Sequence, residues 1–103
     1  MLRTAGRYRK PVYVTENGLA DADDDLRARY LVDHLRQLRA AMRAGEARVE
    51  GYFAWSLVDN FEWAAGYYPR FGFFSYDQRT LARRERSSAR VFRRIARSGS
   101  LER

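Results

Sequence analysis

The sequence predicts an α/β fold organised around one parallel βαβ unit. Two apolar, β-branched and aromatic runs, Pro11 to Thr15 and Val49 to Val58, read as strands. Between them Leu31, Leu35, Leu38 and Met42 recur at the i, i+4, i+7, i+11 spacing of a single helical stripe. A strand–helix–strand succession joins parallel neighbours by a right-handed crossover. Both strands then run into polar clusters on the same edge of the sheet, Glu16-Asn17-Gly18 after the first and Asp59 to Trp63 after the second. The carboxyl ends of parallel strands are where such folds build their sites.

Each element follows from its residues. Residues 1–10 hold Leu2, Tyr8 and several arginines, with Gly6 as a breaker, and read as the end of a helix or a surface lead-in. Pro11 opens the first strand, a position that proline tolerates. Alternation puts Val12, Val14 and Glu16 on one face of that strand and Tyr13 and Thr15 on the other. Ala20 to Asp25 is an acidic loop whose Asp23 to Asp25 suit the first turn of the next helix, as capping charge rather than a metal site. That helix carries the leucine stripe, with Arg27, Arg29, Arg36, Arg39 and Arg43 mainly off it, and Gly45 sits where its C-terminal cap belongs. His34 adjoins the stripe as a packing or surface residue. The second strand turns Gly51, Phe53 and Trp55 one way and Tyr52, Ala54 and Ser56 the other. Glu16 and Trp55 are therefore expected to point into the same space, with Val12, Val14 and Phe53 on that open face. Phe71 to Tyr76 reads as a short extended segment and 77–82 as a turn. Ser87 or Ser88 then caps a final helix with Val91, Phe92 and Ile95 on one face, ended by Ser98-Gly99-Ser100.

The totals narrow the classes. At 103 residues, 46% hydrophobic and 15% aromatic, the chain has the composition of one folded domain at most. With no cysteine and one histidine, neither a disulfide framework nor a thiolate or multi-histidine metal site is available, and no cofactor is implied. The N-terminal MLRTAGRYRK is basic but has no apolar core, and no run approaches the roughly 18 apolar residues of a membrane span. A soluble, cytoplasmic chain with no membrane partner is the expectation. The net charge of +7 resides entirely in residues 79–103, where nine arginines face Glu85 and Glu102. A basic tail can bind phosphate backbones, but this one also carries an apolar helical pattern. It is read as a solvated helix face, and nucleic acid is not an expected partner.

The chemically richest stretch is WSLVDNFEW, Trp55 to Trp63, which sets two indoles around Asp59, Asn60 and Glu62. Indole faces suit flat, weakly apolar ligand faces, and carboxylates accept paired hydrogen bonds from neighbouring hydroxyls. Sugars offer both. For Glu16-Asn17-Gly18 a strand running out into a polar turn is an equal reading.

The motifs YVTENG (Tyr13 to Gly18), GYFAWSLVDNFEW (Gly51 to Trp63) and GYYPRFG (Gly66 to Gly72), with YLVDHL (Tyr30 to Leu35) between them, resemble the C-terminal part of the family 1 glycoside hydrolases. These are retaining enzymes of the β-glucosidase type, and the likeness runs from about Pro11 to Arg97. The resemblance implies an eight-stranded (β/α) TIM barrel of which this chain is a C-terminal fragment, about the last two βα units. Residues 1–10 would be a lead-in, 11–97 would run from the seventh strand to the final helix, and 98–103 would be a tail. By the same resemblance Glu16 is the catalytic nucleophile and Trp55 the platform under the sugar. Glu62 and Trp63 hold the sugar hydroxyls, and Phe71 lies in a stretch that walls the pocket.

The departures carry as much weight. Retaining glycosidases use two carboxyl groups about 5–5.5 Å apart, and the family's acid/base lies in an Asn-Glu-Pro motif. This chain contains no Asn-Glu pair. Nor does it match the family's first-strand glutamine, its His-Trp pair or the tyrosine that steadies the nucleophile, and Arg79 to Arg86 lacks the family's Arg-Thr-Pro-Lys pattern. The expectation is a β-glycosidase fragment that is inactive alone, with a β-linked glycoside as its substrate once completed. The alternative is a non-catalytic module that completes a barrel by self-association or with an N-terminal barrel fragment.

Overall fold

The computed structural model describes residues 1–101. A short helix α1 (Leu2–Gly6) leads into β1 (Val12–Asn17), followed by α2 (Arg27–Arg43) and β2 (Val49–Ala54). After a long loop come β3 (Phe74–Tyr76), β4 (Arg83–Glu85) and α3 (Ser87–Ser98). β1 and β2 pair in parallel with Val12 opposite Val49 and Asn17 opposite Ala54, and β3 and β4 form an antiparallel hairpin. β1 runs two residues further than expected, through Asn17, and β2 stops at Ala54, short of Val58. β4 has no signal in the sequence, since Arg83-Arg84-Glu85 is exposed and lacks an alternating pattern. The turn at 77–82 joins this hairpin, with the Asp77 carboxylate accepting the Arg79 and Thr80 amides.

The apolar core lies between the sheet and the two long helices. Leu31 of α2, Phe73 and Ala89 of α3 are buried against Leu35, Tyr52, Ala54, Phe74 and Phe92. The Phe73 and Phe92 rings stack at 5.2 Å. Tyr52 and Ala54 thus take the helix side as the alternation requires, and Phe53 faces away, 59% exposed. On β1 the expected faces are reversed. Tyr13 is exposed and lies against Gly51 beside Phe53, whereas Val14 lines a groove on the helix side with Leu38 and Tyr52. Parallel pairing sets Tyr13 opposite Gly51, so the residue without a side chain makes room for the ring.

The helix ends are capped from a distance. Asp21 accepts the Leu26 and Arg27 amides, both at 2.9 Å, at the start of α2. Asp24, expected in that same turn, caps α3 instead. It takes the Ser88 amide at 2.9 Å and both serine hydroxyls, and it pairs with Arg27. Ser87 and Ser88 therefore lie inside the first turn and donate outward, and the cap position falls on Arg86. At its other end α2 closes as expected, the Gly45 and Glu46 amides returning to the Met42 and Ala41 carbonyls. His34 is exposed and stacks on Tyr30. Among the described residues no helix is long and apolar enough to cross a membrane.

The shape is a slab of 47 × 35 × 19 Å with a radius of gyration of 15.2 Å, against about 13 Å for a compact domain of this length. It exposes 7746 Å², where a compact domain of this mass exposes about 6,000 Å². The open face of the sheet, with Tyr13 and Phe53, contributes to that surplus.

Burial works against charge on Asp24, but the Ser88 and Ser87 donors and the Arg27 guanidinium more than offset it and hold the carboxyl below its ordinary range. A folded-state value below the unfolded one contributes stability above the unfolded value, near pH 4, and that stability is lost as pH falls through the folded value. Asp24→Ala is expected to cost about 3 kcal/mol in denaturant unfolding at pH 7, because Arg27 and the α3 terminus lose a shared partner. It is also expected to flatten the loss of stability below about pH 4 that the parent shows.

Candidate active site

The site forms where β1 and β2 run out. The Asn17 carbonyl accepts the Trp55 amide at 2.8 Å, which keeps the two strand ends joined one residue past the last paired position. At Gly18 a Cβ would lie 1.8 Å from the Trp55 carbonyl oxygen, so only glycine allows this approach. Val14 and Asn17 both line the helix-side groove. Two residues separate them where alternation allows one, and the strand pairing is irregular across that interval. Glu16, just before Asn17, is exposed, as are Tyr13 and Phe53. Glu16 and Trp55 therefore lie at the adjoining ends of the two paired strands, across an interval where β1 departs from simple alternation.

Past Trp55, whose peptide bond to Ser56 is cis, the chain runs beside the segment leading into β3. The Ser56 amide donates to the Phe71 carbonyl at 3.2 Å, and the Ser56 carbonyl accepts the Phe73 amide at 2.9 Å. This sets the half-buried Phe71 next to Ser56. A Cβ on Gly72 would lie 2.2 Å from the Asp59 nitrogen.

Two polar groups of the nonapeptide turn inward. Asp59 is 2% exposed and takes a two-pronged contact from Arg86, Nη1 to Oδ1 at 2.9 Å and Nη2 to Oδ2 at 3.0 Å, with the Gly72 amide at 2.8 Å. The Asn60 amide donates to Ser56 Oγ and the Val58 carbonyl, each at 3.0 Å. Neither is presented to a ligand. A loop with few strand or helix partners must satisfy its own buried backbone groups, and these side chains do so.

The outward groups are Trp55, Glu62 and Trp63. Trp55 Nε1 donates to Glu62 Oε1 at 3.0 Å, which holds a carboxylate against an indole edge. Trp63 is 84% exposed and opens a 3₁₀ turn (Trp63–Ala65) with φ +49°, a conformation that side chains other than glycine adopt at a cost and that gathers at functional sites. The Glu62 amide closes this turn on the Gly66 carbonyl at 2.7 Å. Among the described residues the Glu16 and Trp63 side chains make no hydrogen bond or ion pair. The strand ends thus carry an uncommitted carboxylate on β1 and, beyond β2, two indoles with a second, indole-bound carboxylate. No group of three or more His, Cys, Asp or Glu among the described residues is arranged to hold a metal.

Several supporting residues escape a reading of the sequence. Arg27, 2% exposed, reaches the Arg70 carbonyl at 2.6 Å as well as Asp24 and the Asp21 carbonyl. Arg86 reaches Asp59 and the Gly72 carbonyl. Nothing in their neighbourhoods separates them from solvated arginines. Behind the site, Tyr52 donates to Asn17 Oδ1 at 2.8 Å, and Asn17 Nδ2 donates to the Tyr30 hydroxyl at 3.1 Å. Burial, reinforced by Tyr30, pushes the Tyr52 phenol up to about 12, so it stays a neutral donor.

The family model for glycosyl hydrolase family 1 matches residues 1–100. A β-galactosidase of Saccharolobus solfataricus is 47% identical over 92% of this chain, and a β-glucosidase of Oryza sativa is 42% identical over 91%. The solved β-glycosidase from Pyrococcus horikoshii superposes with a TM-score of 0.95 at 44% identity over 99% of this chain. This chain spans 19% and 21% of those two relatives and 24% of that solved chain. The fold is therefore a section of a (β/α)8 barrel, which accounts for the open face and strand edges of the slab.

Gly18→Ala is expected to destabilise the chain by about 3 kcal/mol and to red-shift tryptophan emission as Trp55 is pushed from Asn17. An unchanged spectrum and midpoint would contradict the close approach.

Proposed function

Since this chain belongs to glycosyl hydrolase family 1, we propose that it carries the nucleophile and sugar-binding half of a retaining β-glycosidase site. The observation that carries this reading is the uncommitted Glu16 carboxylate at the end of β1, joined through Asn17 to the Trp55–Glu62 pair. In this reading Glu16 attacks the anomeric carbon and forms a glycosyl ester as the aglycone oxygen departs, and water then releases the sugar with retained configuration. The Trp55 face stacks under the sugar ring. Glu62, oriented by Trp55 Nε1, accepts hydrogen bonds from neighbouring hydroxyls, while Trp63 donates from its indole nitrogen and Phe71 walls the pocket. Residues 11–97 would supply the seventh strand through the final helix of the barrel. The relatives include a β-galactosidase and a β-glucosidase, and a β-linked hexoside of either configuration fits an indole platform with a paired acceptor.

Protonation of the leaving oxygen needs a second carboxyl group, and the Asn-Glu pair that supplies it in the family does not occur in this sequence. The 103-residue chain alone is accordingly expected to turn over no β-glycoside. Set in place of the matching segment of the Pyrococcus horikoshii β-glycosidase, it should restore hydrolysis of an aryl β-glucoside or β-galactoside. Glu16→Gln should then lower kcat by at least about 10⁴-fold. Turnover by the isolated chain, or a Glu16→Gln chimera that keeps its rate, would sink the reading.

The surplus exposed surface, including Tyr13, Phe53 and Leu57, favours a second reading, a module that completes a barrel with itself or with a complementary fragment. Open strand edges promote such pairing. Sedimentation should then show a discrete oligomer, or a one-to-one complex on mixing with the remaining barrel segment. Featureless aggregates in both experiments would count against it.

A further inference from the structure

We infer that Asn17 is a positioning residue for Glu16, clamped from behind the sheet by Tyr52 and Tyr30; the catalytic consequence rests on reading Glu16 as the nucleophile. The side-chain amide uses both its ends, accepting from the Tyr52 hydroxyl at 2.8 Å and donating to the Tyr30 hydroxyl at 3.1 Å. The first tyrosine comes from the neighbouring strand and the second from the helix that crosses behind it, so Asn17 is fixed to two elements at once. The main chain of the same residue binds the Trp55 amide. One residue thus ties β1, β2 and α2 together immediately after Glu16.

The clamp matters because the strand is irregular at this point. Without the extra residue between Val14 and Asn17, alternation would put Glu16 on the helix side with Val14. A bulge persists where its surroundings hold it, and bulges re-aim side chains beside active sites. Here the holding groups are two phenols, and Tyr52, pushed up to about 12, remains a donor across the working pH range. An amide is the side chain that offers one acceptor and one donor at this reach. Asn17 is half-buried on the helix side of the strand and takes no direct part in the chemistry proposed above.

Two measurements test the clamp. In the chain itself, Asn17→Ala should speed amide hydrogen exchange at Trp55 by about tenfold or more while the Phe73 amide in the core is unchanged. Tyr52→Phe, which removes one oxygen and keeps the ring, should do the same to a smaller extent and guards against a folding failure in the alanine variant. In the chimera, Asn17→Ala should lower kcat by about 100-fold, the scale set by a displacement near 1 Å, with KM changed by less than kcat. Asn17→Asp keeps the acceptor for Tyr52 and should recover part of that loss. Exchange at Trp55 that is unaltered, or that rises equally at Phe73, would overturn the clamp. A local rise at Trp55 together with full activity in the Glu16→Gln chimera would leave the clamp standing and remove Glu16 from the chemistry.

Discussion

The loops at the carboxyl ends of β1 and β2 are tied together by two guanidinium groups, Arg27 buried and Arg86 half-buried. Arg27 binds Asp24 and the carbonyls of Asp21 and Arg70, and Arg86 binds Asp59 and the Gly72 carbonyl. A buried charge is tolerable only where paired and hydrogen-bonded, and each arginine meets a carboxylate together with backbone acceptors. Through Arg27 the loop after β1 is fastened to the segment before β3; through Asp24 the same loop caps α3. The strand edge bearing Glu16, Trp55 and Glu62 therefore rests on a polar frame spanning most of the chain. The apolar core behind it, centred on Leu31, Phe73 and Ala89, is small. That division suits a site on loops: the core orients the strands, and directional charge-assisted bonds fix the irregular backbone beyond them.

Much of the architecture was legible because it rests on periodicity. The leucine stripe of α2, the βαβ order and the Gly45 end follow from spacing and side-chain type, and Leu31 and Leu35 lie where the stripe puts them. Errors gathered where a local rule met a long-range partner. Alternation failed on β1 between Val14 and Asn17, where the pairing is irregular and Asn17 bonds to Tyr30 and Tyr52, residues from other elements. Ser87 and Ser88 look like caps in isolation, but the carboxylate that caps α3 comes from Asp24, far earlier in the chain. Asp59 and Glu62 are alike in the sequence, yet Arg86 draws one inward and Trp55 Nε1 holds the other at the site. No spacing rule distinguishes those fates, because both are decided by which donor arrives from elsewhere.

The chain spans about a fifth of the length of its relatives, and a section of a barrel leaves part of its sheet uncovered. Its helix-covered face is packed, while Tyr13 and Phe53 on the other face stand in the open. Parallel strands are ordinarily covered on both faces, whereas among the described residues β1 and β2 pair only with each other and are covered on one. Glu16 is exposed at the end of β1, and Glu62 is half-buried beyond the end of β2.

The central claim, that Glu16 forms the covalent bond to sugar, is tested most directly by trapping. The chimera would be treated with an activated 2-deoxy-2-fluoro-β-glycoside, digested and sequenced by mass spectrometry. The account predicts one sugar adduct, on the peptide containing Glu16, and none in the Glu16→Gln variant. An adduct on Glu62, or on any residue contributed by the surrounding barrel, would contradict it.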